Sequence, residues 1–147
     1  MVDAQWAFRF VPSQTARASM KLLFKGKDGG AESTVTGYWL IESKSLFSIA
    51  LLKFDGNSRQ AYHTHAFNCW SFIIKGSLTE HMINGKVRQY KPFRPFITRR
   101  TDFHKVDSTG VTWLFTIRSP WADTWREWIP ATKKFFNLTH GRKIIEK

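Results

Sequence analysis

Short runs of β-branched and aromatic residues, each cut off by glycine or by an asparagine–glycine pair, constrain this 147-residue chain most. Thr34 to Ile41, Leu46 to Phe54, Trp70 to Ile74, Leu78 to Ile83 and Val111 to Ile117 read as strands, because such side chains pack well on a pleated surface. Asn84-Gly85 is the strongest hairpin signal, since a type I′ turn needs φ > 0 at both central positions. The Gly26–Gly30 stretch reads as a further turn. Strands this short and this close together predict an all-β antiparallel sandwich or barrel. One short helix is expected near the carboxy terminus. Ser119 suits its cap and Pro120 its first turn, Trp121, Trp125 and Trp128 fall at i, i+4 and i+7, and Pro130 ends it.

Size and composition narrow the class. A chain of 17.2 kDa is expected to form one domain, residues 1–147, with a single core. The 13 Phe and 7 Trp argue for a packed globule and against disorder. Twenty-three basic against 11 acidic residues give a formal charge of +12, which attracts anionic ligands or nucleic acid, or else is a generally basic solvated face. The single cysteine, Cys69, excludes an internal disulfide and fits a reducing compartment. Met1 to Phe10 lacks the basic and apolar regions of a secretory signal. No run approaches the ~18 apolar residues of a spanning helix. A cytoplasmic protein without a membrane partner is expected.

Tyr62-His63-Thr64-His65 carries the chemistry. Histidines two apart on an extended chain project to one face, so both imidazoles can reach one ion. From Gly56 the chain reads Gly-x6-His63-x-His65-x3-Cys69-x6-Gly76, and His104 follows Pro95 downstream. This spacing resembles the first motif of the cupin superfamily, Gly-x5-His-x-His-x3,4-Glu-x6-Gly, with one extra residue before the first His. His104 corresponds to the single His of the second motif, although the usual Pro-x-Gly of that motif is missing from Phe93–Arg100. The resemblance spans about Phe47 to Ile117 and implies a jelly-roll barrel with a metal in its mouth.

By that resemblance His63, His65 and His104 bind one divalent metal, with other coordination positions open. Three imidazoles suit Fe(II), Zn, Ni, Cu or Mn. The motif Glu is replaced by Cys69, which is similar to the thiol dioxygenases of the superfamily and favours Fe(II). Their Ser-x-His-x-Tyr, however, has no counterpart in Thr116–Trp121. Cys69 is a pocket residue on one reading and a small core residue on the other.

Counting back by twos from His104 puts Asp102, Arg100 and Thr98 on its face. Asp102 would then orient an imidazole and Arg100 clamp an anionic substrate, unless both are rim charges. Arg118, at a strand end, is a second candidate for a carboxylate or phosphate. Lys86 to Lys105 holds seven basic residues against one acid, with Tyr90, Phe93, Phe96 and Phe103 interleaved, the composition of a single-stranded nucleic-acid groove and equally of a β-rich core. His81 and His140 have no nameable partner. No phosphate-binding glycine loop, cysteine-rich zinc module or readable Ser or Cys nucleophile is present.

Two functions are expected from these residues. One is a metal-dependent enzyme, an Fe(II) dioxygenase acting on a small anionic molecule. The other is a non-catalytic binding module for an anionic ligand, a nucleic acid or a protein. The family resemblance also implies a homodimer.

Overall fold

The computed structural model describes residues 20–30, 33–56, 61–140 and 143–146. The reading of Met1–Phe10 falls outside these. The described residues form two antiparallel sheets. One runs, in order, β1 (Lys21–Lys27), β2 (Val35–Glu42), β3 (Ser48–Asp55), β10 (Val111–Arg118), β5 (Cys69–Lys75) and β8 (Phe96–Thr98). The other runs β13 (Lys143–Glu146), β12 (Lys134–Thr139), β11 (Thr124–Ile129), β4 (Tyr62–His63), β9 (His104–Ser108), β6 (Leu78–Met82) and β7 (Val87–Tyr90).

Strands β3 and β10 alternate, as strands of a sheet with one buried face must. In β3, Ser48, Ala50, Leu52 and Phe54 are buried, and in β10, Thr112, Leu114, Thr116 and Arg118 are. Leu52, Phe54, Ile73 and Leu114 of one sheet pack with Leu78 of the other in the main core cluster. A second cluster joins Ala66, Phe67, Trp125 and Leu138. Gly76, the last residue of the histidine motif, is fixed by its surroundings. Its φ is +91°, and an added Cβ would lie 2.8 Å from the Val111 carbonyl oxygen.

The five expected strands form, and three local expectations are corrected. Among the described residues there is no helix. Trp125 and Glu127 are buried while Thr124 and Arg126 are exposed, a period of two that β12 completes by pairing. Trp128 turns to the opposite side, against Phe135 with ring centroids 4.5 Å apart. Strand preference of the tryptophans, with a partner strand available, overrides spacing that also fits a helix. The Asn84-Gly85 hairpin forms between β6 and β7 with a three-residue loop instead of a type I′ turn. Only Gly85 has positive φ, and its N–H donates to the Met82 carbonyl at 3.0 Å. Finally, Gly26 and Lys27 belong to β1, so that turn is confined to Asp28–Gly30.

Candidate metal centre

His63 lies on β4, directly across from His104 on β9. The chain beyond it is pinned to β11: Thr64 N–H donates to the Arg126 carbonyl at 2.8 Å, and Arg126 N–H to Thr64 Oγ1 at 2.9 Å. That anchoring holds the backbone extended and brings the His65 ring round beside the other two. The ring centroids stand 5.0 Å (His63–His65), 5.1 Å (His63–His104) and 4.9 Å (His65–His104) apart. One nitrogen from each ring lies within 4.8 Å of the others.

Hydrogen bonds behind the rings select their tautomers. His63 Nδ1 lies 3.2 Å from the Ala61 carbonyl, which can only accept, so this nitrogen carries the proton and Nε2 keeps a lone pair. His104 Nδ1 faces Glu80 Oε1 at 2.5 Å, which likewise leaves Nε2 as the donor atom for a metal. His65 Nε2 and His104 Nε2 are 2.8 Å apart. Two nitrogens this close share either a proton or a cation. Three converging imidazoles, two with lone pairs set from behind, fit a divalent transition metal.

Glu80 is the residue that sequence reading missed. It is 1% exposed on β6, and it also accepts from the Tyr90 hydroxyl at 2.6 Å, with Arg88 Nη1 at 3.7 Å. Burial pushes its carboxyl upward, but the bonds from His104 and Tyr90 and the charges of His104 and Arg88 outweigh that and hold it below the usual carboxylate range. Burial, then the bond to Glu80, pushes Tyr90 up to about 12. A signal existed: Glu80 stands two residues from Leu78 on a strand, and an acid on an inward face needs a partner.

Asp102, expected to orient an imidazole, does not. Its carboxylate accepts from Arg99 N–H at 3.0 Å within a turn, and its own N–H donates to the Arg99 carbonyl. The turn breaks the strand from which the count by twos was taken. Thr98, beyond it, is buried and lines the cavity. Arg100 is exposed; its backbone N–H donates to Asn68 Oδ1 at 2.8 Å, and its residue borders a shallow depression with His65 and Arg126.

The three histidines line a cavity of about 310 Å³ together with Cys69, Arg118, Trp39, Leu52, Phe54 and Leu114. This is the size range of a small-molecule site. Cys69 is a free, half-buried thiol on the wall but stands outside the mutually close donor group, which among the described residues is the three histidines. Arg118 is 4% exposed, and its Nη1 and Nη2 donate to the two Asp28 oxygens at 3.1 and 2.6 Å. Of the aromatics in the basic stretch, Tyr90 and Phe96 stack inside at 3.8 Å, while Phe93 is exposed. His81 pairs with Asp107 at 3.0 Å, and His140 stacks on Trp121. No helix of the described residues is long and apolar enough to cross a membrane.

No known family pattern matches this sequence. No curated protein matches it either. Solved structures do match the fold. An RmlC-like cupin from Shewanella frigidimarina aligns over 74% of this chain and 88% of its own, with 14% identity and a TM-score of 0.51. A putative ethanolamine utilization protein from Salmonella typhimurium aligns over 65% and 77%, with 15% identity and a TM-score of 0.53. The cupin domain of Cnp3 from Schizosaccharomyces pombe aligns over 62% and 68%, with 12% identity and a TM-score of 0.51. The likeness is one of fold.

Proposed function

We propose that this chain, a cupin in its fold, is a metal-dependent enzyme, an Fe(II) dioxygenase acting on a small anionic molecule. The observation that carries this reading is the convergence of His63, His65 and His104 on one wall of a cavity large enough for a substrate. Structural zinc sites are closed by four protein ligands, whereas three leave room for chemistry. When bound, iron supplies activation of dioxygen. The chain itself supplies the rest. His63 Nε2, His104 Nε2 and His65 hold the ion, and Glu80 holds His104 in the required tautomer. Trp39, Leu52, Phe54 and Leu114 exclude water around the substrate body. Arg118, already on the cavity wall, is better placed than exposed Arg100 to fix an acidic group.

Elemental analysis of the purified protein tests the foundation without a guessed substrate. About one metal ion per chain, lost in His104→Ala, is the expected result. A protein free of metal as isolated, and still free after incubation with iron or zinc, would sink the enzyme. Oxygen consumption with candidate acids, abolished by the same substitution, then tests the reaction type.

A further inference from the structure

Arg118 and Asp28 form an unequal pair. The guanidinium side chain is 5% exposed at the inner end of β10, while the carboxylate side chain is 26% exposed and comes from the turn after β1. That turn contains Gly29 and Gly30, with φ of 93° and 99°, so its backbone is built from residues that reorient at little steric cost. The cation is part of the wall and its anion is supplied from the rim. An arginine buried without a partner is strongly destabilising, so the chain must fill this place with something. Both residues line the cavity that holds the three histidines, as do Lys27 and Lys44, with Glu42 as a further acid.

We propose that Asp28 occupies an anion seat made for a ligand: the carboxylate of a small acid exchanges with that of Asp28 on Arg118. This rests on the reading of the cavity as the substrate chamber. Two oxygens on adjacent guanidinium nitrogens are the geometry of a planar acid. The guanidinium carbon lies 4.8 Å from the Trp39 ring centroid and 4.5 Å from that of Phe67, and these rings crowd the seat. The ligand class is therefore a monocarboxylate with an apolar body, in preference to a tetrahedral phosphate.

The experiment is a thermal unfolding series in sodium acetate against sodium chloride at equal ionic strength. It compares wild type, Asp28→Asn and the double variant Asp28→Asn/Arg118→Met, with metal content measured on the same samples. Asp28→Asn should melt below wild type in chloride, and acetate should raise its melting temperature saturably by about 4 °C or more. The double variant should not respond. If Asp28→Asn does not fold in chloride, recovery on refolding in acetate is the same positive result. No acetate response or recovery in Asp28→Asn, an equal response in the double variant, or stronger rescue by phosphate overturns the proposal. Bound metal with no acetate effect removes the seat and leaves the enzyme; acetate rescue without metal does the reverse.

Discussion

Replacing Glu80 by glutamine keeps the side-chain volume and removes the charge that faces His104 Nδ1. The expected cost is about 10- to 100-fold in metal affinity with the fold retained, measured by competition against a chelator. Tyr90 offers a second check. Its pKa, about 12 in the fold, lies above the ordinary value of 10.0, so the folded state holds this proton more tightly than the unfolded chain. The stability it contributes is complete below about pH 10 and is lost as the pH rises toward 12. The Tyr90 phenolate should therefore appear late in an absorbance titration, and Tyr90→Phe should abolish that late step. His63 and His65 were legible as a pair from the strand period, and His104 joined them only through the resemblance to the cupin motifs. Glu80 was harder to see, because its meeting with His104 depends on the register between β6 and β9 across 24 positions. Asp102 misled because the count assumed a strand that begins only at His104.

Among the elements, strands of alternating pattern could be read directly, while turns and the Trp segment could not. A tryptophan at every third or fourth position fits a helix as well as a strand, and only the pairing of β11 with β4 and β12 decides between them. The hairpin after β6 needed its loop length, which hydrogen bonding at Met82 and Lys86 sets. Glycines in turns separate two kinds of constraint. Gly85 has φ +88° with open space for a Cβ, whereas Gly76 has φ +91° and would strike Thr112 and the Val111 carbonyl. Gly85→Ala is expected to cost about 1–2 kcal/mol from backbone strain alone. Gly76→Ala should cost clearly more, and urea unfolding of the two variants side by side measures the difference.

At the scale of the whole molecule, the outer face of the six-stranded sheet is the feature that composition did not reveal. Trp70, Phe72 and Ile74 of β5 lie beside Trp113, Phe115 and Ile117 of β10, and Trp70, Ile74 and Ile117 are 38%, 41% and 38% exposed. On two neighbouring strands at ~4.8 Å spacing, these side chains form one continuous apolar patch. The homodimer that the family resemblance implies would cover this face, each sheet against the other. Because both copies carry a formal charge of +12, added salt should strengthen the dimer in sedimentation measurements. Binding of nucleic acid would weaken with salt instead, and a monomer at all concentrations would leave this face unexplained.

The seven-stranded sheet narrows to Tyr62 and His63, the two residues of β4, which meet β11 through two pairs and β9 through one. An ion gripped by His63 and His104 would sit on that seam and act as a clasp between β11–β13 and the rest of the sheet. Metal supply would then govern how firmly the carboxy-terminal strands stay attached, as well as whatever chemistry the cavity performs.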